Sequence, residues 1–295
     1  MFTLAHLSDP HLGPLPQPQW HDLLGKRATG YLNWRRRRHL IHRGELLERI
    51  VEDMKAQAPD HIAVTGDLVN ISLAAEYAPA RGWLESLGGP AHVTLVPGNH
   101  DAYARRTAQH PRLHWGDYMR GDDGAAFPFV RRRRPLVLIG LSSAVPTAPF
   151  MATGRLGTDQ LQKLAAALDR FGSDDFFRVV LIHHPPASKR SRHFKRLVDG
   201  AALRDTLARH GADLLIHGHD HIHSLTFIEG PRRRIPVVGV PSASEAPPGK
   251  QDPAGYNLYR IDGRAGAWRC EAVSRGLSRD GERVIEIQRT MLVGD

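Results

Sequence analysis

Cysteine is nearly absent: Cys270 is the only one in 295 residues. No internal disulfide can form, and no thiolate cluster can hold zinc. Any metal bound here must rest on histidine, carboxylate and amide oxygen ligands. Long apolar runs are also missing, since none approaches the roughly 18 residues that a membrane-crossing helix needs. The N-terminal Met1-Phe2-Thr3-Leu4-Ala5-His6 lacks the basic flank and cleavage site of a secretory leader. A cytoplasmic chain is the expectation. Internal repeats and low-complexity tracts do not occur, and 41% hydrophobic with 24% charged residues excludes a disordered or fibrous protein. The length suits one large α/β domain spanning residues 1–295.

Lysine is scarce too. Forty basic residues against 31 acidic ones give a net charge of +9, and only six of the forty are lysine. An arginine excess reads either as a GC-rich coding bias or as attraction to phosphates, which guanidinium grips in a fork. The placement is more telling than the sum. Between Leu23 and Gly44 there is no acidic residue, while Lys26, Arg27, Arg35, Arg36, Arg37, Arg38 and Arg43 are all basic. Trp20, Leu23, Leu24, Tyr31, Leu32 and Trp34 are mixed with them, so residues 13–43 form a basic arm. That composition suits a lid packed on its own domain, which is the preferred reading. It also suits a helix lying on an anionic membrane, or a platform for single-stranded nucleic acid. Further basic clusters fall at Arg131 to Arg134, Lys189 to Arg196 and Arg232 to Arg234.

The pattern of elements is βαβαβ at the start. Apolar runs predict strands at Phe2–Ser8, His61–Thr65 and Ala91–Val96, and Leu46, Leu47, Ile50, Val51 and Met54 repeat at helical spacing before Pro59. A second helix is expected over about Ser72–Leu87. Gly98–Arg134 shows no clear period and reads as a short helix and a long irregular excursion. Strands follow at Pro135–Leu141, Arg178–Ile182 and Asp213–Ile216, with helices from Thr158 and over about Lys195–His210 between them. From 224 to 291 the rhythm becomes a β meander broken by Gly, Pro and Asp turns.

Five of these segments end in hard or imidazole ligands: Asp9-Pro10-His11, Gly66-Asp67, Gly98-Asn99-His100-Asp101, His183-His184-Pro185-Pro186 and Gly218-His219-Asp220-His221. Ligands two apart on an extended chain project to one side, so Asp9 with His11, and His219 with His221, can each clamp a common point. In an α/β sheet the carboxyl ends of strands lie along one edge, where ligand sites form. Asp9, His11, Asp67, Asn99, His183, His219 and His221 are too many groups for one ion and suit two, with Asp67 the natural bridge. The other histidines, His6, His42 and His61 among them, read as ordinary core or surface residues.

With those segments in place, the chain resembles the calcineurin-like metallophosphoesterase superfamily over residues 1 to about 225. The resemblance implies a four-layer αββα sandwich of two mixed sheets, the C-terminal meander completing the second. It implies that Asp9, His11, Asp67 and His221 hold one divalent ion, and Asp67, Asn99, His183 and His219 the other. His183 is taken as the ligand because the family pattern is His-x-Pro, which leaves His184 facing substrate. The nitrogen and oxygen donor set fits Mn, Fe, Zn or Co equally. His100 is expected to donate a hydrogen bond or proton to the leaving group, with Asp101 orienting its ring, and Arg35 and Arg36 are the arm's candidate substrate contacts. His-His-Pro-Pro resembles the branch containing cyclic-nucleotide and glycerophosphodiester phosphodiesterases. The first functional expectation is therefore a phosphodiesterase on a small phosphodiester. A hydrolase of a phospholipid or nucleotide-linked lipid at an anionic membrane surface comes second, a nuclease third, and a non-enzymatic metal-bearing scaffold last.

Overall fold

Every expected strand is present, and with one that was not expected they make twelve among the described residues, divided between two layers. The computed structural model describes residues 1–172, 176–187, 190–247, 251–278 and 280–294, without the side chains of residues 190–192. The strands are β1 (Phe2–Leu7), β2 (His61–Val64), β3 (Val93–Leu95), β4 (Phe129–Arg133), β5 (Leu136–Gly140), β6 (Phe177–Leu181), β7 (Leu214–His217), β8 (Ser224–Ile228), β9 (Ile235–Gly239), β10 (Gly255–Asp262), β11 (Arg269–Leu277) and β12 (Val284–Val293). The helices are α1 (Lys26–Asn33), α2 (His39–Ile41), α3 (Gly44–Ala56), α4 (Tyr77–Leu87), α5 (His110–Trp115), α6 (Thr158–Gly172) and α7 (Gly200–His210). A π-helical turn, Trp34–Arg38, joins α1 to α2.

One six-stranded sheet runs β12-β11-β10-β1-β2-β3 and the other β4-β5-β6-β7-β9-β8. Both are mixed: β1, β2 and β3 are parallel while β10 joins β1 antiparallel, and β5, β6, β7 and β9 are parallel between antiparallel β4 and β8. Alternation along the second sheet sorts its side chains into two cores. Leu136, Leu138, Val179, Leu181, Leu214 and Ile216 share a core with β1, α3 and α4. Val137, Ile139, Val180 and Leu215 instead meet Leu164 and Leu168 of α6 and Leu203 and Leu207 of α7. The layers are thus helix, sheet, sheet, helix.

Three expectations need correction. Phe129–Arg133 is a strand rather than part of an irregular excursion. Its inward residue Arg131 donates to the carbonyls of Pro90, Val93, Asp117 and Arg120, so a buried arginine masks the strand alternation. The helix expected over Lys195–His210 begins only at Gly200, because Leu197 bridges to Gly154 and the Asp199 carboxylate accepts the Leu156 and Gly157 N–H groups. The meander does not complete the second sheet alone: β8 and β9 do so, while β10, β11 and β12 extend the first sheet from the edge of β1.

Candidate metal centre

The parallel strands β1, β2, β3, β6 and β7 all deliver their following loops to one edge. Backbone bonds zip those loops together: Asp9 N–H donates to the Gly66 carbonyl at 2.9 Å, His11 N–H to the Asp67 carbonyl at 3.1 Å and Gly218 N–H to the His183 carbonyl at 3.1 Å. Asp9, His11, Asp67, His219 and His221 all take positive φ, between 41° and 68°. That left-handed region is sparsely used by side-chain-bearing residues and concentrates at functional sites. The paired ligands therefore converge by tight left-handed turns and not by strand alternation, as their spacing had suggested. Glycine serves these turns by close approach: a Cβ on Gly218 would strike Ser8 and Asp9, and one on Gly66 would strike Gly98.

Two clusters result. Asp9, His11 and His221 form one and Asp67, His183 and His219 the other, each with ligand atoms within 4.8 Å of one another. Asp67 Oδ2 stands 3.4 Å from His183 Nε2 and 4.0 Å from His11 Nε2, between the two groups. Asn99 Oδ1 lies 3.2 Å from His183 Nε2.

The outer nitrogen of each imidazole is occupied: His11 Nδ1 at the Val69 carbonyl (3.3 Å), His183 Nδ1 at Thr65 (2.6 Å), His219 Nε2 at Lys195 (2.8 Å) and His221 Nδ1 at the Glu245 carboxylate (3.0 Å). Such outer partners fix ring orientation and leave the inner nitrogen for an ion. Two buried carboxylates walled by inward-facing imidazoles fit a pair of divalent cations.

The charges follow from burial and pairing. Burial disfavours a charged His183, but Asp67 and Asp9 outweigh it and push the ring up to about 10. Burial is likewise outweighed at His221, which Asp9 and Glu245 raise to about 9. Burial also opposes ionised Asp9, yet His221 and His183 hold it well below the usual carboxylate range. His11 and His219 are driven well down by burial, then by Arg38 for His11 and by His184 for His219.

Several expected roles change. Asp101 does not orient His100: its carboxylate accepts the N–H groups of Asp67, Leu68, Val69 and Gly98 at 2.8–3.2 Å, tying the β2 and β3 loops together. The His100 ring sits with Nδ1 on the Asn70 carbonyl and beside Arg38, and burial followed by Arg38 lowers it to about 3. His184 faces no open space. It is fully buried, bonded to Ser143 Oγ (2.7 Å) and the Ala152 carbonyl (3.1 Å), with its ring 4.3 Å from that of His219. Arg35 and Arg36 are exposed on the π turn. Their neighbour Arg38 enters the site instead, 3.1 Å from His11 Nε2 and 3.2 Å from the His100 ring nitrogens.

Sequence reading also missed His42, its ring tilted against that of His11 at 4.5 Å and bonded to Ser244, and Glu245 behind His221. Of the basic cluster after His183, Lys189 and the Arg190 and Arg192 side chains lie outside the described residues. The arm itself packs as a lid. Tyr31 and Trp34 cover Leu15, Ile71, Leu73 and Tyr103, and buried Arg27 donates to the Ile71 and Ser72 carbonyls. Among the described residues no helix is long and apolar enough to cross a membrane.

Residues 2–223 match the calcineurin-like phosphoesterase family. A protein of Synechococcus sp. named as a probable cyclic nucleotide phosphodiesterase is 29% identical over 222 residues, 74% of this chain and 78% of its own. Among solved structures, a dimetal phosphatase from Danio rerio superposes with a TM-score of 0.59 at 14% identity, covering 98% of this chain and 99% of that one. A purple acid phosphatase from yellow lupin seeds gives 0.56 at 13% identity, covering 97% of this chain and 53% of its own. These two likenesses establish the fold.

Proposed function

The chain belongs to the calcineurin-like phosphoesterase family, and on that premise we propose that it is a two-metal phosphodiesterase acting on a small phosphodiester. The observation that carries the reading is Asp67, a buried carboxylate standing between two clusters of inward-facing imidazoles. Asp9, His11, Asp67 and His221 would hold one ion, and Asp67, Asn99, His183 and His219 the other, from among Mn, Fe, Zn or Co. When bound, such ions supply Lewis acidity, lowering the pKa of a water and neutralising phosphoryl oxygens.

The chain's own residues do the rest. Arg38, beside the His100 ring, presents a guanidinium to the phosphoryl oxygens. His100 assists the leaving group. Its ring is neutral beside Arg38, with its one proton on Nδ1 at the Asn70 carbonyl. An arriving anion that engages Arg38 raises its basicity, so that it takes up a second proton from water and, as imidazolium, donates it from Nε2 to the leaving oxygen. Glu245 holds the His221 ring, and His184 backs the His219 ring.

The diester preference rests on His183-His184-Pro185-Pro186 and on the name carried by the Synechococcus relative. Turnover of bis-p-nitrophenyl phosphate, p-nitrophenyl phosphate and 3′,5′-cyclic AMP with Mn²⁺ tests it. Diesters should be the faster substrates. Preference for the monoester, or no turnover by a protein carrying two ions, would overturn the reading.

A further inference from the structure

The lid has a second face. Beyond the contacts that hold it to the domain, it exposes Trp20 (80%), Leu24 (63%) and Leu40 (63%). Lys26 Nζ donates to Thr147 Oγ1, Thr147 Oγ1 to the Met151 carbonyl, and Ala152 N–H to the Phe194 carbonyl. The next residue, Lys195, accepts from the ring of His219 through its carbonyl. Arm, 147–152 loop and 194–195 loop therefore form one rim beside the metal centre.

That rim also exposes Phe150 (85%) and Phe194 (63%). Apart from Met1 and Leu113, every described large apolar side chain more than 60% exposed lies on it. Phe150 adds an independent observation. Its φ of 63° is a left-handed conformation costly for an aromatic residue. Strained backbone that turns a phenyl ring out into water gains nothing inside the fold.

We propose that this rim docks on an anionic phospholipid bilayer. Aromatic and aliphatic side chains interleaved with arginine are what an interfacial segment requires: apolar groups enter the headgroup boundary and cations meet the negative surface. Arg35, Arg36 and Arg37 are exposed, and the segment from Leu23 to Gly44 contains no carboxylate. The same charges argue against a second copy of this chain, because a twofold contact would set the arginine run against itself. Nucleic acid would match the arginines and Trp20 but leave Leu24 and Leu40 without stacking partners. The proposal is independent of substrate, because docking is read without turnover.

Co-sedimentation of the metal-loaded full chain with phosphatidylcholine vesicles, with and without phosphatidylglycerol, tests it. Binding should need the anionic lipid and weaken as salt rises from about 0.1 M to about 1 M, where the Debye length falls from about 10 Å to about 3 Å. Replacing Arg35, Arg36 and Arg37 by Ser should reduce partitioning about 100-fold, and Phe150→Ser roughly 10-fold, with metal content and circular dichroism unchanged. No binding to anionic vesicles overturns the proposal, as does equal binding to neutral ones. So does binding indifferent to both variants, or a chain that binds single-stranded RNA or forms dimers but does not sediment with lipid.

Discussion

Each imidazole of the metal centre has one nitrogen committed outward, and His100 follows the same rule with Nδ1 on the Asn70 carbonyl. Because that ring is assigned to the leaving group and not to an ion, His100→Asn should lower turnover about 10²–10⁴-fold with two ions retained. The loss should shrink for nitrophenyl esters, whose leaving groups need little protonation. Equal losses on alkyl and nitrophenyl diesters would assign the ring to charge stabilisation. Asp101 is different in kind. Asn in its place offers one accepting oxygen where four backbone N–H groups converge, so Asp101→Asn should cost about 3 kcal/mol from unpaired buried donors. Urea unfolding in chelator reads that loss without the metals. Unchanged stability with reduced turnover would return Asp101 to the role its position beside His100 suggested. The first-rank ligands were legible in sequence because each follows an apolar strand directly. Arg38, His42 and Glu245 were not, since their places depend on a π turn and on the 242–246 segment pairing with the arm, as Arg43 N–H does with the Ser244 carbonyl at 3.0 Å.

At the level of elements, the strand-to-loop junctions are the working parts. Gly218 ends β7 against β1, and a Cβ there would strike Ser8 and Asp9. Gly218→Ala should therefore displace Asp9 and weaken the first ion's binding at least about 10-fold, by analogy with losses on disturbing groups that orient ligands. Gly44→Ala, where an added Cβ meets nothing within 4 Å, serves as the control. Metal titration of both variants decides, and equal affinities would show that the junction has slack. Strands β1, β2, β5, β6 and β7 were readable because most of their residues are buried on both faces and their runs are mostly apolar, broken only by residues such as Thr3, His6, His61 and Arg178. Strand β4 was hidden by its inward arginine, and the destination of β10–β12 was hidden because composition does not say which sheet has a free edge.

Over the whole molecule, buried histidines set the range of pH in which the metal-free fold is stable, and they act in opposite directions. His6 and His61 lie outside the metal clusters, and burial lowers each to about 3, with His217 adding to the effect at His6 and Arg133 at His61. The unfolded chain takes up their protons below about pH 6.5 while the native state does not, so stability falls as acid increases. At pH 5 each costs about 2 kcal/mol, from 1.5 units at 1.36 kcal/mol per unit. For His61 the reason is visible: its Nδ1 is buried with no hydrogen-bond partner, so a charged ring has nowhere to donate. His183 and His221 work the other way, since their raised values stabilise the fold fully below about pH 6.5 and that contribution is lost as pH climbs through about 9 and about 10. Metal binding requires those rings to be neutral and releases their protons. Chelator-treated protein should therefore lose stability at both ends, whereas metal-loaded protein keeps only the acid edge, made shallower by about one proton in His61→Gln. Urea midpoints from pH 5 to pH 10, with and without Mn²⁺, check this. An alkaline edge that persists with two ions bound would mean that His183 and His221 are not the groups the ions displace protons from.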